Sequence, residues 1–243
     1  MATQVEIVST KHTANPQSQL VQVYVWELPV RLFHWFMVLS VCLLTITGFY
    51  MHAPYLEAHG PRVWNMGTMR FLHELAGFLL ISALIVRIYW FFAGNHWAHW
   101  RAYVPLTRRQ WASAGSMVRY YTFRRSEPIP QVGHNGLAAM SYLIIYALLL
   151  VEACTGIVLF ADVVGNRTLT FFVGWIPRLI NIQWIRTIHF TVMFCFMAFV
   201  VHHVYSAVLV ALEEKNGLME SIFSGWKFIP RWLLNQDTDQ NRK

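Results

Sequence analysis

The sequence predicts an all-α membrane protein, a bundle of four transmembrane helices. Its 243 residues are 56% hydrophobic, 16% aromatic and only 13% charged, a balance that soluble domains do not have. Four apolar segments are long enough to cross the roughly 30 Å hydrocarbon layer. The basic residues are divided unevenly among the connections between those segments, as orientation in a membrane requires.

The first 23 residues are polar, contain Pro16 and lack the apolar core of a secretory signal, so residues 1–23 are expected to form a cytoplasmic tail. One membrane domain, residues 24–212, follows, with spans over about 31–52, 70–93, 137–160 and 187–211. Residues 53–69 hold Pro54, Gly60 and Pro61 and read as a loop. The longer connection over 94–136 carries Trp, Arg and Pro, with a surface helix expected around 107–123. Residues 161–186 hold Gly165, Asn166, Gly174 and Pro177 among apolar stretches suited to the membrane interface. Residues 213–243 are expected to be a second cytoplasmic tail. No repeat is legible beyond the four spans.

Charge fixes the expected orientation. Thirteen Lys and Arg lie before span one, in the middle connection or in the tail, including Lys11, Arg31, Arg101, Arg108 and Lys227; five lie in the other two loops, Arg62, Arg70, Arg167, Arg178 and Arg186. Thirteen against five puts both termini and the long middle loop in the cytoplasm. The net charge of +7 then belongs to a chain oriented in a lipid membrane, and no nucleic-acid partner is expected.

Cys42, Cys154 and Cys195 stand singly in apolar segments, and there is no C-x-x-C-H. Covalently attached haem is excluded, and so is an iron–sulfur cluster held by this chain alone.

The histidines carry the chemistry. His189 and His203 lie fourteen residues apart in the last span. Fourteen helical residues turn about 1400°, close to four full turns, and rise roughly 21 Å. Histidine is costly in lipid and normally faces the bundle interior. His34 lies near the inner end of span one and His73 near the outer end of span two. Depth therefore pairs His73 with His189 and His34 with His203. A structural zinc site wants four close ligands, and two separated pairs do not supply them. Two haem b, each between two axial imidazoles, fit better. Iron so ligated has no open position, which leaves electron transfer rather than oxygen chemistry.

The same spacing recurs elsewhere. Gly48 lies fourteen residues after His34, where it leaves room for a porphyrin edge, and Arg87 lies fourteen after His73. Arg31, Arg70 and Arg87 are candidate partners for haem propionates. His202, one residue before His203, projects about 140° off the face of His189. His134, just before span three, is a competing ligand at the inner level. His52, His59, His96 and His99 fall in loops or at interfaces.

Five stretches resemble one family in order. These are E-L-P-V-R-L-F-H-W with T-G-F at 47–49, M-G-T-M-R-F-L-H, R-I-Y-W-F-F-A-G-N at 87–95, V-G-H-N-G-L-A at 132–138 and H-V-Y-S-A at 203–207. Over roughly residues 24–212 the chain resembles the b-type cytochrome subunit of membrane-bound [NiFe] hydrogenases, relatives of formate dehydrogenase cytochromes. The resemblance implies a subunit that anchors a periplasmic hydrogenase through its small subunit, takes electrons from that iron–sulfur chain and reduces quinone. It carries no hydrogen-splitting site of its own. It also implies His34, His73, His189 and His203 as the haem ligands. Asn95, His134 and Asn135 are the candidate quinone contacts. Glu152 departs from the apolar residue expected in span three. Two alternatives remain: the cytochrome subunit of a formate dehydrogenase or similar quinone-linked reductase, and a haem-free anchor.

Overall fold

A computed structural model describes residues 5–6, 19–54 and 64–241. Lys11, the turn at Gly60 and Pro61, His59, Arg62, Arg242 and Lys243 lie outside the described residues.

Four helices are long and apolar enough to cross a membrane: α1 (Leu28–His52), α2 (Asn65–Ala93), α4 (Gly136–Val164) and α7 (Ile182–Glu214). Each matches an expected span and extends it by several residues into the interface. Their lipid-facing sides stay apolar, with Leu39, Ile46, Ile85 and Val201 exposed. In hydrocarbon such faces need no cover, and the helix satisfies its own backbone.

The shorter elements start where a polar side chain can take the first free amides. α3 (Arg108–Tyr121) opens on a capping box, in which the Thr107 hydroxyl accepts from Gln110 N and the Gln110 side chain accepts from Thr107 N. α5 (Arg167–Val173) is capped by Asn166, whose side chain accepts from Thr168 and Leu169. α6 (Ile176–Leu179) is a single turn with proline near its start. α8 (Leu218–Ser224) and α9 (Arg231–Asn241) follow α7.

The chain forms two compact units, each containing a part of all four spans. One unit comprises residues 33–86 and 145–201. Its core is Phe33, Leu80, Leu84, Ile145, Leu149, Val192 and Phe196, supplied by α1, α2, α4 and α7 together. This is a four-helix core of large aliphatic and aromatic side chains.

The other unit gathers Met1–Leu32, Arg87–Ile144 and His202–Lys243. It contains an antiparallel sheet of β1 (Val5–Glu6), β2 (Leu20–Tyr24) and β3 (Trp226–Pro230), in that order. β2 and β3 pair from Leu20 opposite Pro230 to Tyr24 opposite Trp226. Val21, Val23 and Ile229 turn inward onto Val25, Trp26, Trp97, Val132 and Leu233, the alternation a half-buried sheet requires. The sequence reading left both flanking segments as tails. A five-residue strand is legible only beside its partner, and here the partner is some 200 positions away in the chain.

Candidate metal centre

His73 on α2 and His189 on α7 face each other within the first unit. Their ring centroids are 6.2 Å apart and their planes are inclined at 65°. A metal–imidazole bond is about 2.0 Å and the ring centroid lies about 1.1 Å beyond the nitrogen, so the centroids of two imidazoles in line on one metal stand about 6.2 Å apart. The observed spacing would let one metal stand between the two rings. Among the described residues no group of three or more His, Cys, Asp and Glu is placed to hold a bare metal ion. Two imidazoles so placed could hold a group that brings its own remaining ligands, as haem does.

Both rings are held from behind. The Thr47 hydroxyl on α1 lies 2.9 Å from His73 Nδ1. The Thr155 hydroxyl on α4 lies 2.9 Å from His189 Nδ1. A Cβ added at Gly48 would meet His73 Cε1 at 3.5 Å, and one at Gly156 would meet His189 Cε1 at 3.3 Å. Gly48 thus adjoins the ring of His73. Glu152 Oε1 lies 3.3 Å from His189 Nδ1, so this carboxyl group adjoins the same imidazole. Thr47, Thr155 and Gly156 escaped the sequence reading, although Thr-Gly occurs only at 47–48 and 155–156 in the chain.

His34 belongs to the same unit and sits edge-on to Trp35, with ring centroids 5.2 Å apart. His203 belongs to the other unit, where Tyr142 Oη is 3.4 Å from its Nδ1. His202 is exposed, with its ring beside Tyr121 and its Nε2 3.4 Å from Ser206 Oγ.

The three candidate arginines differ. Arg70 is exposed on α2. Arg31 donates to the Phe223 carbonyl and, at 3.3 Å, to the Tyr24 hydroxyl. Its buried Nε has no hydrogen-bond partner among the described residues, which leaves this donor able to take a further acceptor. Arg87 is buried, donates to Ala98 O and to Tyr103 Oη at 2.8 Å, and lies over the Phe91 ring at 4.1 Å.

The candidate quinone contacts are engaged in local structure. Asn95 Nδ2 donates to Val25 O at 2.9 Å and its Oδ1 accepts from Ala98 N. Glu27, from the E-L-P stretch, accepts from Asn95 N and Trp90 Nε1, both at 2.8 Å. Asn135 Oδ1 accepts from Ala138 N at the start of α4. His134 stacks on Trp26 at 4.5 Å and sits edge-on to Tyr142. Burial, then Lys227, Arg87 and His203, lowers its pKa from 6.5 to about 3, so it is neutral at physiological pH.

Four membrane-spanning helices with two facing imidazoles, and no attachment motif for covalent haem, define a membrane cytochrome of the b type. Comparison with known proteins agrees. A family model described as prokaryotic cytochrome b561 matches residues 25–225, and the chain belongs to that family. It is 35% identical over 209 residues, covering 84% of this chain and 87% of the relative, to a protein of Rhizobium leguminosarum bv. viciae named "Probable Ni/Fe-hydrogenase B-type cytochrome subunit". A protein of the same name from Azotobacter vinelandii is 34% identical, with 84% and 88% covered. The "Probable Ni/Fe-hydrogenase 1 B-type cytochrome subunit" of Escherichia coli (strain K12) is 28% identical, with 84% and 90% covered. The chain is therefore a multi-pass membrane cytochrome that carries haem b.

Proposed function

We propose that this chain is the dihaem membrane subunit of a hydrogen:quinone electron-transfer complex. Two haem b would supply one-electron transfer, one between His73 and His189 and one between His34 and His203. The 6.2 Å separation of the His73 and His189 rings carries this reading. Arg31 is the favoured propionate partner because its buried Nε has no hydrogen-bond partner among the described residues; Arg70 and Arg87 are the other candidates.

The names of the relatives point to association with a Ni/Fe hydrogenase; the proposed electron donor is a periplasmic [NiFe] hydrogenase docked through its small subunit. Quinone is the acceptor. Asn95 and Asn135 already serve as caps, and the reading rests no quinone contact on them. Of the three candidates, His134 keeps an aromatic setting suited to a quinone ring. Bis-imidazole ligation leaves no position for dioxygen. The chain thus passes electrons on to quinone and has no hydrogen-splitting site of its own.

The test is a haem determination on the complex purified from its native membrane, with each of the four histidines replaced in turn. The expected result is two acid-extractable, low-spin haems per chain, with His73→Ala and His189→Ala each removing the same one. Hydrogen should then fail to reduce any haem. His34→Ala and His203→Ala should leave the outer haem reducible while quinone reduction stops. One haem per chain, or copurification with formate dehydrogenase subunits, would refute the proposal.

A further inference from the structure

Thr47 and Thr155 occupy matching places on two different spans. Each hydroxyl bonds backward within its own helix. Thr47 Oγ1 donates to Leu43 O at 2.7 Å, with Leu44 O at 3.2 Å. Thr155 Oγ1 donates to Val151 O at 2.8 Å, with Glu152 O at 3.1 Å. A hydroxyl has one proton, and here the helix carbonyls take it. Toward the imidazole 2.9 Å away each oxygen can therefore only accept.

The back-bonding of both hydroxyls points to a proton on Nδ1 of His73 and of His189. The Nε2 lone pair of each ring is then free, and it is the atom left for a metal. Each threonine is followed by a glycine whose missing Cβ lies beside the Cε1 of the same ring. Thr47-Gly48 with His73, and Thr155-Gly156 with His189, repeat one arrangement on α1–α2 and on α4–α7. Mid-helix threonines commonly bond backward. Ordinary back-bonding does not account for two of them meeting two facing histidines with the same glycine beside each.

We infer that Thr47 and Thr155 are the positioning residues of the outer haem, each hydroxyl holding its imidazole as the Nδ1–H tautomer with Nε2 turned to the iron, and that the two helix pairs are two copies of one Thr-Gly/His holder. The inference rests on the His73/His189 ligation proposed above. The copies differ at one point. Glu152 Oε1 lies 3.3 Å from His189 Nδ1, longer than the threonine bond, so Thr155 is the principal acceptor. A hydrogen bond from Nδ1–H raises the basicity of the ligating nitrogen and so favours the ferric state.

The test compares Thr47→Val, Thr155→Val and the corresponding serine variants in the purified complex. Valine keeps the shape and removes the acceptor, whereas serine restores it. At a fixed ambient potential the ratio of reduced to oxidised outer haem should rise roughly 2- to 10-fold in each valine variant, the worth of one hydrogen bond. The low-spin ferric electron paramagnetic resonance signal should shift as the ring is released. Serine should return both readings to those of the parent. Outer haem lost in the valine variants but kept in the serine ones would also support the inference. Valine variants with the parent signal and ratio would overturn it, as would serine variants as altered as the valine ones. An outer haem that survives both His73→Ala and His189→Ala would instead refute the ligation beneath it.

Discussion

Lys227 is a buried lysine whose Nζ donates to the carbonyls of Gln131 and Val132, each at 3.1 Å. Burial lowers its pKa from 10.5 to about 8, against a smaller opposing effect of Glu214. It sits near His134, whose pKa of about 3 is depressed from 6.5 by burial, Lys227, Arg87 and His203. A neutral folded histidine has a definite linkage. Above pH 6.5 the folded and unfolded chains bind the same number of protons at this site. Between 6.5 and about 3 the unfolded chain binds more, so stability falls as pH falls. The expected outcome is a melting temperature, followed by circular dichroism, that declines steadily from pH 6.5 to pH 4. His134→Phe should flatten that decline while keeping the stack on Trp26. A slope unchanged by the substitution would assign the effect to other groups. At this scale the sequence located His134 but not its surroundings, because Trp26, Tyr103 and Lys227 reach it from distant segments.

Among the elements, α3 and the start of α4 are the most closely fitted. The Ser113 hydroxyl accepts from Gly136 N at 3.0 Å and from Gln131 Nε2 at 2.8 Å. A Cβ at Gly136 would stand 2.2 Å from Gln110 O and 2.8 Å from Ala114 N, both backbone atoms. Neither can turn aside as a side chain could. Gly136→Ala is therefore expected to cost about 1–3 kcal/mol by overpacking, read as a lower melting temperature. Gly115→Ala in α3 is the control: its added Cβ meets nothing within 4 Å, and better helix propensity should make it neutral or stabilising by up to about 1 kcal/mol. Equal losses in both variants would discount the close approach. The sequence reading expects a surface helix around 107–123, where α3 lies. The role of the second glycine in V-G-H-N-G-L-A was not legible there, because nothing in a one-dimensional pattern says which backbone lies against it.

For the whole molecule, the pairing of β2 with β3 brings the chain before α1 against the chain after α7. Val25 N and Trp26 N both donate to Gly225 O, and Arg231 N donates to Gln19 O. Strands bonded this way lie on one side of the membrane, in keeping with an even number of crossings. On the thirteen-to-five division of basic residues, that side is expected to be the cytoplasm. A reporter fused after Lys243 should be active only if it works in the cytoplasm. Activity of a periplasm-only reporter there would invert the assignment of outer and inner histidines. Weakening the pairing with Val23→Pro should loosen both flanking segments together, seen as faster amide exchange in β2 and β3, because proline removes a ladder donor.

The sequence by itself determined the four spans and marked the histidines that lie within them. A span is a local property: its length is set by the bilayer and its composition by the cost of polar groups in lipid. A histidine within such a span carries its own signal. Tertiary structure alone decided what stands behind those histidines. Thr47 lies 26 residues from His73, and Thr155 lies 34 from His189, so neither bond belongs to any one helix. It also decided that Asn95, Glu27 and Trp90 fasten one another, and that the flanking segments form a sheet. Each of these depends on which distant backbone or side chain completes a hydrogen bond, and that choice is made only when the helices pack.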